Sequence, residues 1–303
     1  FMTTYHLVTT PIYETWSKTT PNLLAGEWCK IYQDNNITKE FQHKIAEYHW
    51  DDRDKYFKNS IYLREIQAQA LIVLTNALNE YHVVKHPTRF WQILIGPWLH
   101  KFIHIIFDKY ETLSKINQRY KINNSSVLNL KSKNFIPPDT EIFATFMRND
   151  LWHHFIFSKI LVNFFNIKHS LIKFDKINNK SNTIFTNSQT KKSLTYNFLN
   201  ECDHFSKKIF NSKNHDYFIK NSYLSIQDEI KLNFFLNKSL TLNFFTPKNK
   251  CYIENLNRDH FLGNLDKFDD RFFKVLLFMI REQLPLIFLE CFSELNSCLE
   301  KLK

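Results

Sequence analysis

Glycine occurs only three times in 303 residues, at Gly26, Gly96 and Gly263, where average usage would give roughly twenty. Loops that cradle phosphate with consecutive backbone N–H groups need clustered glycines, so GxGxxG and GxxxxGK[ST] loops are excluded. A nucleotide would have to be held by other means. Two of the three glycines and five of the six tryptophans fall within residues 5–110. They sit in short runs that mix rings with ionisable groups: Glu14-Thr15-Trp16, Gly26-Glu27-Trp28-Cys29, His49-Trp50-Asp51-Asp52-Arg53, Arg89-Phe90-Trp91 and Gly96-Pro97-Trp98. The remainder is drawn mostly from Asn, Lys, Ile and Phe. Shape-specific residues concentrated beside proton-exchanging groups point to a site in the first third.

The apolar fraction of 44% is that of a globular chain able to bury a core. The net charge of +10 is carried by the middle segment, where residues 111–250 hold 21 basic against 10 acidic residues. Those lysines are scattered among Asn, Ser and Phe without a dense run, which reads as a solvated surface or a face for anionic headgroups or a charged polysaccharide. Nucleic acid is not an expected partner. The five cysteines are odd in number, widely spaced and without a CxxC pair, which reads as thiols in a reducing compartment with no disulfide frame and no zinc site. The start lacks a basic segment followed by an apolar run. The most hydrophobic stretch, 90–107, is interrupted by Gly96-Pro97, His100, Lys101 and His104, so it falls short of a bilayer span. A cytoplasmic protein, peripheral at the inner face of the membrane, is expected.

Periodicity gives an α/β order. His6-Leu7-Val8-Thr9-Thr10, stopped by Pro11, and Asn22-Leu23-Leu24-Ala25, stopped by Gly26, read as strands leading into acidic and aromatic residues. Residues just after strand ends are where such folds place their sites. From Asp51 the apolar residues recur at three and four with no Gly or Pro until Pro87, predicting a long helix with Asp51 or Asp52 at its N-terminus. A second helix over 88–110 is expected to break or kink at Gly96-Pro97. Residues 121–138 read as a loop, 140–165 as a helix, 232–245 as one or two strands, and 268–302 as one or two helices divided at Pro285. Within that last stretch, 284–295 reads as a strongly apolar helix. No linker divides the chain, so 1–303 is taken as a single α/β domain: a motif-bearing part (1–110), a basic, low-complexity middle (111–250) and C-terminal helices (251–303).

A histidine beside carboxylates is equipped to act as a general base, because the carboxylate fixes its tautomer and supports the imidazolium. His49 with Asp51 and Asp52 fits that description, but a capped helix start with Arg53 in an ion pair fits the same residues better. Glu14 beside Trp16 and Glu27 beside Trp28 suit a sugar, whose apolar face lies on a ring while carboxylates accept from its hydroxyls. They also suit core rings and helix caps. Arg89 and the Gly96-Pro97 break suit an anionic group, or a structural arginine on a kinked helix. His153-His154 is adjacent on a helix and so poorly placed to share a metal, and no metal is expected. Cys29 with His49 lacks any local signature of a nucleophile pair.

These runs in this order, with Leu7-Val8-Thr9-Thr10, Tyr48 before His49, Leu78-Asn79 and Phe107-Asp108 added, resemble a family of bacterial transferases encoded in surface-carbohydrate loci. The resemblance is close over about a third of the chain, and Gln283 to Glu290 is similar to the family's segment at the end of its first half. It implies a helix-rich, Rossmann-like N-terminal half of a two-domain, glycosyltransferase-like protein roughly twice this length. The second half of such proteins carries a histidine- and glycine-rich motif for the activated sugar donor. No GQHGG-like run is present here, so the donor domain is expected to lie outside this chain, in a missing half or a second polypeptide.

The resemblance thus implies the acceptor side of a transferase moving a sugar from a nucleotide-sugar donor to a polysaccharide or lipid-linked acceptor, with no cofactor held by this chain itself. His49 is the expected base. Asp51, Asp52 and Glu14 would orient it or bind hydroxyls, Glu27, Trp28, Trp16 and Thr10 would line the site, and Arg53 and Arg89 would meet anionic groups. All are expected to converge on one open cleft. A non-catalytic glycan-binding or assembly protein is the rival expectation.

Overall fold

The computed structural model describes residues 3–31, 41–173, 258–293 and 296, all within one compact unit formed by 1–176 and 249–303. The strands expected over 232–245 lie outside the described residues. Five parallel strands form one sheet in the order β3-β2-β1-β4-β5: β1 (Thr4–Val8), β2 (Asn22–Leu24), β3 (His43–Ile45), β4 (Lys121–Leu128) and β5 (His169–Ile172). The helices are α1 (Arg53–His82), α2 (Thr88–Arg119), α3 (Thr140–Phe146), α4 (Asp150–Phe164) and α5 (Arg271–Gln283). The α/β reading holds. Among the described residues no helix is long and apolar enough to cross a membrane.

Alternation along the strands sets the two faces of the sheet. Leu7 and Leu23, paired in register, join a core shared with Leu63, Leu74, Trp98, Phe102, Trp152 and Leu276. Their neighbours Val8 and Leu24 belong to a smaller cluster with Trp16, Cys29 and Phe41. The long helices therefore cover one face, and a patch of rings covers the other.

Helix α1 begins at Asp52, whose carboxylate accepts the Lys55 N–H at 3.1 Å. This satisfies one of the orphan donors of the first turn. Leu63, Ile66, Ala70, Leu74 and Leu78 are its buried stripe. It ends where Val83 takes φ 54°, a left-handed conformation that costs a β-branched residue about 1–2 kcal/mol. Asn79 holds the chain there: its side chain donates to the His86 carbonyl at 2.8 Å and accepts the His86 N–H at 3.1 Å and the Trp91 indole N–H at 2.9 Å.

Four expectations are corrected. Helix α2 does not break at Gly96-Pro97 but runs through Pro97 for 32 residues; the proline is on the exposed side, where the carbonyl it leaves without an N–H partner faces water. Residues 121–128 are a strand, not a loop. Their polar first half (Lys121, Asn123) is exposed, whereas Ser125 to Leu128 is buried, and the Ser125 hydroxyl donates to the Leu7 carbonyl at 3.0 Å. The apolar run from Leu284 is not one helix: α5 stops at Gln283 and a short 3₁₀ helix, Leu286–Phe288, follows Pro285. Cys291 is disulfide-bonded, against the reading of five thiols.

Candidate functional site

The chain leaves β1 towards β2 on one side, while β4 pairs with β1 on the other. Connections therefore diverge at the carboxyl end of β1, the place where open parallel sheets leave a crevice for ligands. A cleft of about 390 Å³ lies there. Thr9 and Pro11 come to it from the end of β1, and Trp28 and Ile31 from the segment after β2. Helix α2 supplies Asp108 and Lys109, and the α3–α4 junction supplies Met147, Arg148, Asp150 and His153.

The base of the cleft is tied together by His154. Its Nε2 accepts the Leu128 N–H at 3.1 Å, so its proton is on Nδ1, which donates to the Thr9 hydroxyl at 3.0 Å. One neutral ring thus links the ends of β4 and β1. Burial pushes this imidazole down to about 4, which keeps the ring neutral.

Asp108 is the best-prepared group on the wall. Tyr48 Oη donates to its Oδ1 at 3.0 Å, and His49 Nε2 lies 3.0 Å from the same oxygen. Burial alone would raise the carboxyl, but the His49 hydrogen bond, the nearby Lys109 charge and the Tyr48 hydroxyl outweigh it and hold the group below its ordinary value. Tyr48 is pushed up, first by burial and then by that carboxylate, and remains a donor. Among the described residues both bonds to Asp108 land on Oδ1, which leaves Oδ2 for a ligand.

Trp28 lines the cleft as well, stacked on Phe157 with centroids 6.1 Å apart. A Cβ on Gly26 would collide with the Trp28 ring, so the glycine is required for the indole to lie where it does. Lys109 is 5% exposed, with Nζ 4.5 Å from the Phe157 ring centroid; burial pushes its ammonium down to about 8. His153 Nε2 bonds the Met147 carbonyl at 2.9 Å, while its Nδ1 is buried without a partner among the described residues. Burial, followed by the Lys109 charge, pushes it down to about 4.

Of the residues singled out in the sequence, Trp28 lines the cleft and His49 reaches it through Asp108. The His49 side chain is fully buried among Tyr48, Trp50 and Phe107, and its Nδ1 has no partner among the described residues. Thr10 is buried beside Thr9, its carbonyl accepting the Trp16 indole N–H at 3.2 Å. Trp16 itself packs in the opposite-face cluster. The acids do not converge. Glu14 and Asp51 are exposed, Glu27 pairs with Lys30 at 3.1 Å, and Asp52 caps α1. Arg53 is exposed, and Arg89 bonds Gln92 at 3.0 Å on the first turn of α2. None of these six lines the cleft.

The groups that do were missed as site residues. Asp108 stood in the motif series as Phe107-Asp108 without a role. Lys109 had a visible signal, a lysine inside the apolar stripe Phe102, Ile106, Tyr110, Leu113. His153 was weighed only as a metal ligand, and among the described residues no group of three His, Cys, Asp or Glu is placed to hold a metal ion. The Cys29 thiol is buried and pushed up to about 12 by that burial, unsuited to nucleophilic attack.

A family model described as LIC12162 family transferase matches residues 5–303. The chain belongs to that family, and the match spans nearly its whole length. No curated protein and no solved structure matches it.

Proposed function

We propose that this LIC12162 family transferase moves a sugar from a nucleotide-sugar donor to a polysaccharide or lipid-linked acceptor, and that the cleft between the ends of β1 and β4 receives the acceptor. The observation that carries this reading is the Asp108 carboxylate. One oxygen is held by Tyr48 and His49, and the residue lines the same cleft as the Trp28 ring. An indole face takes the apolar side of a pyranose, and a carboxylate oxygen accepts from its hydroxyl.

In the step itself, Asp108 Oδ2 takes the hydroxyl proton as the acceptor oxygen bonds to the anomeric carbon, and the nucleoside diphosphate leaves with the electron pair of the broken bond. His49 is a positioning residue, since its remaining nitrogen is buried away from the cleft. The strand order of the sheet agrees with a Rossmann-like half, and the donor would be brought by a second α/β half on the same or another polypeptide. The excess of lysine in 111–250 would favour an anionic membrane face carrying a lipid-linked acceptor.

The test is transfer from a panel of labelled nucleotide sugars to oligosaccharide and polyprenyl-linked acceptors, with the chain alone and with any polypeptide carrying the donor half. Product that disappears with Asp108→Asn supports the proposal. Glycan-array binding with no transfer and no sugar-nucleotide hydrolysis would replace it with a carbohydrate-binding role.

A further inference from the structure

We infer that the same cleft seats a phosphoryl group of its ligand between Lys109 and Arg148, at the head of α4. The inference rests on the cleft being a ligand site and adds the chemical class of what enters it. An ammonium withdrawn from water costs several kcal/mol unless it is paired. Lys109 is nearly sealed yet forms one wall of an open cleft, and among the described residues it forms no ion pair. Its one described contact is the face of Phe157. Asp108 precedes it on α2, with its Oδ1 committed to Tyr48 and His49. A buried cation whose neighbouring acid, Asp108, is already bound by Tyr48 and His49, beside a space large enough for a ligand, is explained by an anion that arrives with that ligand.

Three further observations agree. Arg148 is exposed on the same wall, and its guanidinium forms no ion pair or hydrogen bond among the described residues. At the head of the 15-residue α4, the Asn149 side chain takes the Trp152 N–H and the Asn149 carbonyl takes the His153 N–H. Among the described residues the N–H groups of Asp150 and Leu151 have no acceptor there, and such groups favour anions. Arg and backbone N–H together match the oxygens of a phosphoryl group better than a single carboxylate. Asp150 works against it. Its carboxylate is on the same wall, so binding comes from direct contacts and not from a net positive field, and removing that charge strengthens it.

The shared chemistry is a phosphate ester or pyrophosphate, and its source is either the nucleotide of a donor or the head of a lipid-linked acceptor. Titration calorimetry on the full chain at pH 7 with inorganic pyrophosphate, uridine diphosphate and farnesyl pyrophosphate tests both. The expected result is binding of pyrophosphate, weakened about tenfold or more in Lys109→Met and Arg148→Ala, the scale of a lost charged hydrogen bond. Asp150→Asn is expected to strengthen it severalfold. Lys109→Met keeps the buried stem, so its unfolding midpoint should equal or exceed that of the parent. Tighter uridine diphosphate assigns the anion to the donor, and tighter farnesyl pyrophosphate assigns it to the acceptor. No heat with any of the three, or equal affinities in the parent and Lys109→Met, overturns the inference. Sugar transfer lost in Asp108→Asn alongside absent pyrophosphate binding would leave the transferase reading standing and remove this one. The reverse pattern would do the opposite.

Discussion

Two histidine and tryptophan clusters lie at different places along the long helices. Around His49, the rings of Tyr48, Trp50 and Phe107 surround an imidazole that bonds Asp108, and that carboxylate opens onto the cleft. Around Trp91, His82 packs tilted against Phe292 at 4.3 Å and bonds the Phe288 carbonyl at 3.1 Å, His86 stacks on Phe90 at 3.9 Å, and Asn79 makes three hydrogen bonds. Both have a buried ring nitrogen without a partner among the described residues, His49 Nδ1 and His86 Nε2. An orphaned nitrogen therefore does not by itself mark chemistry. What separates the two is a carboxylate, Asp108, on the lining of a cleft. The first cluster holds that carboxylate, and the second turns its polar atoms inward to close the connection between α1 and α2.

The contrast predicts opposite phenotypes. Asp108→Asn keeps an oxygen able to accept from Tyr48 and His49, so its unfolding midpoint should barely move. Turnover should fall about a hundredfold or more, the scale of a lost general base. His49→Ala should cost less and should move the acid limb of the rate profile to higher pH, because the donor that holds Asp108 low is gone. A profile that does not move would make His49 purely structural. Asn79→Ala is the converse experiment. It strands the indole N–H of the fully buried Trp91 and releases the strained Val83 turn, so chemical denaturation should show a loss of about 2–3 kcal/mol with ligand binding unchanged.

Legibility in the sequence followed the same division. Helix α1 was readable because its apolar spacing is uninterrupted by Gly or Pro and Asp52 caps it. Strands β1 and β2 were readable because buried parallel strands are apolar runs. Strand β4 was hidden by Lys-Ile-Asn-Asn-Ser-Ser, polar residues that the sheet accepts only because Ser125 and Ser126 find partners on β1. The cleft could not be assembled from spacing at all. Thr9, Asp108 and His153 are brought together by the β1–β4 pairing and by His154 bonding both strand ends, whereas the acidic residues next to tryptophans turned out to serve as caps and surface charges. Proximity in sequence to an indole was a poor guide; position after the central strand was a good one.

Acid should attack the cleft end first. His154 is neutral in the fold at about 4 against an ordinary value near 6.5, so the unfolded chain binds the proton more readily. Its contribution is complete above pH 6.5 and is lost as pH falls towards 4, at up to about 1.4 kcal/mol per pH unit. Denaturation midpoints should drop through that window, and less steeply in His154→Gln, which retains one donor and one acceptor but does not titrate. Equal slopes would place the acid sensitivity elsewhere, with His153 as the next candidate.

The smallest effects separate the wall from its surroundings. In Gly26→Ala the new methyl collides with the Trp28 ring, so the indole must swing away, and affinity for whatever lies against it should fall about tenfold, the order of a lost ring contact. Glu14→Ala and Arg89→Ala, at exposed sites away from the cleft, should change stability by no more than about 0.5 kcal/mol and leave affinity intact. If Arg89→Ala weakened ligand binding as much as Gly26→Ala, the ligand would extend well beyond the cleft to the start of α2. The boundary between the two regions would then have to be redrawn around a larger acceptor.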